Sequence, residues 1–260
     1  MTNLSDSSRW LSCRQKNERA LFRLFCFPYA GGTSSVFRNW HKLLPDTVEV
    51  WAVQYPGHGT RIGEELYTDV RALASSAAHA IRPYMDKPVL FYGHSLGAIV
   101  AFELALYSKA QFGVGPMQLM VGGRNAPDAE REIAPIYRLP EEEFRAGLRL
   151  YGGTPEEVLA DTELMDLCSP ILRADFQMSE TYVYEGGKLT CPIVAWGGKQ
   201  DEMVPEPQLR NWERFTASRF KSEMLPGGHF FLMTHQQELI AGMTKEIDTI
   251  THLASWNRLF

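Results

Sequence analysis

The stretch PVLFYGHSLGAIVAFELALY (88–107) constrains the fold more than any other part of the chain. PVLFY is short, apolar and bounded by proline and glycine, as expected of a strand covered on both faces. LGAIVAFELALY is apolar nearly all the way round, which makes it a buried helix. Only Gly93, His94 and Ser95 separate the two, so the backbone must turn from strand to helix almost at once. Glycines at 93 and 97 flank the serine because a Cβ at either place would crowd so tight a turn. A buried strand feeding directly into a buried helix requires a sheet with helices packed against it.

The alternation continues along the chain. LFRLFCF (21–27), VEVWAV (48–53), MQLMVGG (117–123), PIVAWGG (192–198) and KSEML (221–225) predict further strands. Helices are predicted at 36–44, from Phe37, Trp40 and Leu44, and at 66–85, from Leu66, Val70, Leu73, Ala77, Ile81 and Tyr84. Two more are predicted at 206–216 and 236–253. The fold class is therefore α/β, a doubly wound, mostly parallel sheet with helices on both faces, which binds ligands beyond the carboxyl ends of its strands. At 260 residues and 45% apolar content, residues 21–260 can bury the core of one domain, and the polar residues 1–20 form an N-terminal extension.

Residues 135–185 are too many for a single crossover helix. LPEEEFRAGLRLYGG predicts a helix with Pro140 in its first turn, Phe144, Leu148 and Tyr151 on one face, and Gly152 as its stop. Thr154 is placed to cap a second helix, with Pro155 at its first position and Glu157 completing a capping box. A third helix over 162–182, bent at Pro170, exposes Leu164, Leu167, Ile171 and Phe176. Inserted at this point, the three helices form a lid over Ser95, with Phe144, Leu148 and Phe176 as substrate-binding residues of an apolar chamber.

Several function classes are excluded. A net charge of −5 offers no basic surface for nucleic acid. The chain has no secretory signal, and no apolar run reaches the roughly 18 residues that span a bilayer, so a cytoplasmic, monomeric protein without a membrane partner is expected. Cys13, Cys26, Cys168 and Cys191 lie far apart, with no pairing or histidine spacing that suggests a metal site.

Ser95 has two readings: the nucleophile of a G-x-S-x-G elbow, or the attachment serine of a carrier domain. A carrier is a small helical bundle, whereas here the serine follows a buried strand, as the elbow requires. The serine then needs a base and an orienting acid, in the chain order Ser, Asp or Glu, His. Three of the seven histidines (His41, His58 and His79) precede Ser95. His94 adjoins it and points away, and His252 ends the last helix with no strand before it. His229, in PGGHF after KSEML, is the base, with His235 as its rival at the next helix start. Asp201, in the loop GGKQDEMVP after PIVAW, is the acid, with Glu202 beside it as the substitute. Backbone N–H groups of Leu96 and Ala30 form the oxyanion hole, with Tyr29 as the one-residue alternative to Ala30.

The segments CFPYAGG, YPGHGTR, YGHSLGA, YGGTPEEV, CSPILRAD, WGGKQDEMV and LPGGHFFL resemble the type II thioesterases of non-ribosomal peptide and polyketide synthases, which are α/β-hydrolases. The resemblance runs over roughly residues 21 to 250, and the first 20 residues match nothing in it. It implies an enzyme that hydrolyses acyl groups from the phosphopantetheine thiol of a carrier domain, without a cofactor, to edit or release chains. Its triad falls on Ser95, Asp201 and His229, and its oxyanion donors on Ala30 and Leu96. A medium-chain fatty-acyl carrier thioesterase and a general carboxylesterase share this chemistry, while a non-catalytic binding protein of the same fold would not need the triad.

Overall fold

In the computed structural model, which describes residues 9–130 and 134–256, the first strand lies upstream of the expected domain boundary. Leu11–Ser12 (β1) pairs antiparallel with Val48–Val53 (β3), and Trp10 and Leu11 are buried in the core. Residues 9–20 of the predicted extension thus contribute an edge to the sheet; residues 1–8, and 257–260 at the far end, lie outside the described residues.

The other strands are Phe22–Phe27 (β2), Val89–His94 (β4), Gln118–Gly122 (β5), Ile193–Gly198 (β6) and Phe220–Leu225 (β7). They form one sheet of order β1-β3-β2-β4-β5-β6-β7, parallel throughout except at β1. Strand order reverses between β2 and β4, so the connections leaving their carboxyl ends turn in opposite directions along the sheet, and Ser95 follows β4 at that point. β-strand alternation sends Phe25 and Phe27 to one face and Phe22, Leu24 and Cys26 to the other. Helices Val70–Ile81 (α1) and Leu96–Phe112 (α2) cover the first face, and Gln236–Trp256 (α8) covers the second through Leu239, Ile240, Met243 and Ile247. Among the described residues no helix is long and apolar enough to cross a membrane.

Between β5 and β6 stand the inserted helices Glu141–Tyr151 (α3), Glu156–Ala160 (α4) and Thr162–Thr181 (α5). They share a core of their own, built from Ile136, Phe144, Leu148, Leu159, Met165, Leu172 and Phe176. The fold is the α/β-hydrolase fold with a helical lid.

Some local expectations are corrected. Residues 36–44 form no α-helix but two 3-10 turns, Ser34–Phe37 and Trp40–Lys42. Phe37 and Trp40 are three apart, which a three-residue turn satisfies as well as an α-helix does. Pro140 and Pro155 stand just outside their helices as caps. The capping box of Thr154 and Glu157 does not form, because the N-cap of α4 falls on Pro155, which has no side-chain acceptor; the next helix, α5, is capped by Asp161, which accepts from Leu164 N–H at 3.0 Å. The helix predicted over 66–85 begins only at Val70, where Asp69 accepts from Ala72 N–H. Short Glu206–Arg210 (α6) gives way to a 3-10 turn over Asn211–Phe215, and Phe231–Thr234 (α7) precedes α8.

Close packing at the elbow sets a sharp stability test. A Cβ on Gly97 would lie 2.1 Å from the Phe27 carbonyl oxygen, whereas one on Gly113, at φ 71°, meets nothing within 4 Å. Urea denaturation should show Gly97→Ala losing about 3 kcal/mol or more, or failing to fold, while Gly113→Ala loses only about 1 kcal/mol.

Candidate active site

Ser95 has φ 53° and ψ −116°, and among the described residues it is the one non-glycine residue with positive φ. Such strain persists only where the surroundings enforce it. Here Ser95 N–H donates to Gly122 O at 2.8 Å, and the crossing of Gly93 and Gly97 leaves no space for relaxation, since a Cβ on Gly93 would fall 2.1 Å from Gly97 O. The strain holds the hydroxyl above the sheet at the start of α2.

Two loops beyond β6 and β7 bring the other groups to it. His229 Nε2 lies 3.0 Å from Ser95 Oγ, and His229 Nδ1 lies 2.8 Å from Asp201 Oδ2. Asp201 is almost wholly buried, and its Oδ1 accepts from Met203 N–H at 3.1 Å. The carboxylate therefore accepts a hydrogen bond from Nδ1–H, which leaves Nε2 facing the serine as an acceptor. The loops are fastened together: Gln200 N–H donates to Gly227 O at 3.0 Å, and Gly227 N–H donates to Gln200 Oε1 at 2.6 Å. Glu202 lines the cleft nearby, whereas His229 binds Asp201; His235 bonds Thr234 at the end of α7.

His94 does point away from the hydroxyl, but it has a definite task. Its Nε2–H donates to the His229 carbonyl at 2.8 Å, and its Nδ1 faces the Tyr92 hydroxyl at 3.3 Å. It thus steadies the backbone of His229. Ala30 lines the same cleft as Ser95 and His229, in a turn closed by Gly32 N–H donating to Tyr29 O at 2.8 Å. Leu96 opens α2, where helix N–H groups lack intrahelical partners.

The cleft has a volume of about 210 Å³ and runs from Ser95 and His229 under the inserted helices. Leu148 and Phe176 line it as expected, and so do Leu172 and Tyr151. Phe144, in contrast, is not among the residues lining the cleft; it is fully buried inside the lid, with the Arg173 guanidinium 4.1 Å from its ring centroid. Periodicity placed Phe144 on the right face of α3 but could not tell the lid's own core from the chamber wall. Of the four third-helix residues expected to be exposed, Phe176 is buried, while Leu164 and Leu167 are exposed.

The family model for a thioesterase domain matches residues 22–247. The chain is 39% identical over 248 residues to the gramicidin S biosynthesis protein GrsT of Aneurinibacillus migulanus, covering 95% of this chain and 97% of that protein. It is also 39% identical over 238 residues to the linear gramicidin dehydrogenase LgrE of Brevibacillus parabrevis, covering 90% of each. Among solved structures it is similar to the type II thioesterase BorB from the borrelidin biosynthetic cluster, with a TM-score of 0.83, 34% identity, and coverage of 91% of this chain and 97% of that one.

The burial of His94 gives a pH test. Burial, reinforced by neighbouring His229, pushes its pKa down to about 3, from about 6.5 in an unfolded chain. Between these values the unfolded chain binds the extra proton, so folding stability falls as pH falls. Urea unfolding at pH 7, 6, 5 and 4 should show His94→Gln with a flatter dependence than the wild type, by up to about 1.4 kcal/mol per pH unit.

Proposed function

The chain belongs to the thioesterase family, and from that premise we propose that it hydrolyses acyl groups from the phosphopantetheine thiol of carrier domains in non-ribosomal peptide or polyketide synthesis. The observation that carries the reading is the unbroken chain of contacts from Ser95 Oγ through His229 to Asp201, at 3.0 and 2.8 Å, at the end of a cleft under an apolar lid. In this reading His229 Nε2 takes the Ser95 proton as Oγ attacks the thioester carbonyl. Asp201 holds the imidazole tautomer and stabilises the imidazolium. The N–H groups of Leu96 and Ala30 receive the developing oxyanion. The C–S bond breaks, the pantetheine thiol leaves with the proton from His229, and water activated by the same imidazole then cleaves the acyl-serine.

One relative bears the name of a dehydrogenase. A linked serine, imidazole and carboxylate serve acyl transfer and have no evident use in moving a hydride, so hydrolysis is the activity assigned to this chain. The catalytic domain takes in the edge strand at Leu11–Ser12 as well as the expected residues from 21 onward, with residues 135–185 as its lid.

Acyl groups loaded on a carrier domain, followed by mass spectrometry, test the reading directly. Ser95→Ala should lower kcat by about 10³-fold or more with little change in melting temperature. Turnover near that of the wild type would refute the assignment.

The lid makes a separate test. Phe176→Ala and Leu148→Ala widen the chamber and should shift the ranking of acyl-carrier substrates toward longer or bulkier chains, with p-nitrophenyl acetate cleaved almost as before. Phe144→Ala, which empties the lid core rather than the wall, should instead cost about 3 kcal/mol or more of stability. An unchanged ranking in both wall variants would remove the lid from specificity.

A further inference from the structure

The loop that carries Ala30 is held at its two ends by the body of the domain. At the start, the Tyr55 hydroxyl donates to Pro28 O at 3.2 Å. At the end, Ser34 N–H and Oγ both donate to Gln54 Oε1, at 3.1 and 2.9 Å, and Gln54 Nε2 donates to His58 O at 2.9 Å. Between these anchors sits the turn Tyr29–Gly32, with Gly31 at φ 75°.

The middle of the turn is held from the lid. Asp175 on α5 is 1% exposed, and its Oδ2 accepts from Gly31 N–H at 2.6 Å and from His58 Nε2 at 2.8 Å. His58 Nδ1 lies 2.9 Å from Pro56 O. A carbonyl and a carboxylate can only accept, so both ring nitrogens donate and His58 is an imidazolium. Burial opposes that charge, but the Asp175 carboxylate outweighs it and raises the His58 pKa above its ordinary value. Asp175 Oδ1 is buried without a hydrogen-bond partner, so the cation is what compensates for placing a carboxylate there. One turn earlier on α5, Leu172 presses on the same glycine: a Cβ on Gly31 would come 2.6 Å from Leu172 Cδ2.

We propose that Asp175 is a positioning residue that makes the oxyanion hole depend on the seating of the lid. The inference rests on the reading of Ala30 N–H as an oxyanion donor. Gly31 N–H adjoins that donor, and Asp175 fixes its direction only while α5 lies on the turn. A lid lifted to admit an acyl-pantetheine arm withdraws Asp175 and Leu172 together, leaving the turn held at its ends alone. Closure of the chamber and alignment of the oxyanion donor are then one event, which delays bond cleavage until the acyl chain is enclosed. The His58 imidazolium keeps the carboxylate from repelling the nearby oxyanion.

Two thioester mimics separate positioning from general damage. An acyl-pantetheine trifluoromethyl ketone forms a tetrahedral adduct as Ser95 Oγ adds to its carbonyl, placing an oxyanion in the hole. The matching thioether has no carbonyl and reports only binding of the chain and arm. Asp175→Ala should lower kcat by about tenfold to a hundredfold, and weaken the ketone by a similar factor, since a misaligned donor loses part of the effect of a deleted one. KM and thioether affinity should stay within about twofold of the wild type, on the view that uniform binding is untouched. If Asp175→Ala does not fold, His58→Gln takes its place: it keeps a donor toward Asp175 but removes the cation, and should weaken the ketone without weakening the thioether. The proposal is overturned if the ketone binds as to the wild type, if both mimics weaken alike, or if both variants unfold. Should Ser95→Ala remain active, the triad reading itself fails; should Ser95→Ala be dead while Asp175→Ala keeps full ketone affinity, only this inference fails.

Discussion

The close approach of backbone at the end of β4 is the constraint on which the site depends. Gly93 packs against Gly97, and Gly97 against the carbonyls of Phe27 and Pro28, at separations that admit no side chain. That contact forces Ser95 into its strained conformation and seats the first turn of α2 against the strand that leads into the Ala30 loop. One steric condition therefore presents the nucleophile and brings both proposed oxyanion donors to it. The same device recurs one layer away: a Cβ on Gly198 would lie 2.4 Å from Gly228 O, so the loops bearing Asp201 and His229 are pressed together by missing side chains. The geometry of the proposed site is set by backbone contact first, and hydrogen bonds then refine it.

This explains what could be read from the sequence. The strands and the elbow are encoded locally, by apolar runs and glycine punctuation, and the chain order of Ser95, Asp201 and His229 singles out the three side chains that the fold brings into contact. Boundaries set by competition are not encoded in this way. Phe37 and Trp40 fit an α-helix and a 3-10 turn equally, and α4 starts one residue later than its capping pattern suggests, with Pro155 and not Thr154 as its N-cap. Trp10 was hidden because its burial depends on an edge strand of only two residues, too short to carry a pattern. The His58–Asp175 pair joins residues 117 positions apart, and no spacing rule links PGHG with a carboxylate in mid-helix. Nor does periodicity reveal which of two apolar surfaces a helix face will meet, so it does not separate Phe144, in the lid core, from Leu148, which also lines the cleft.

That last distinction bears on how such a chamber can change. The lid is bound into a unit by its own core and by polar ties: Arg173 donates to Tyr137 O and Leu139 O and pairs with Glu141, while Glu180 accepts from the N–H groups of Ile136 and Tyr137. Phe144 and Met165 belong to the lid interior, whereas Leu148, Leu172 and Phe176 belong both to that interior and to the cleft wall. Substitutions at these shared positions trade wall shape against lid packing, and the trade is mild where the lost volume opens onto the cleft instead of a sealed void. Leu172 is the exception, because it also rests on the turn beside Ala30. On the proposed reading, Leu148 and Phe176 shape the chamber wall, whereas a change at Leu172 also reaches the glycine that follows the proposed oxyanion donor Ala30.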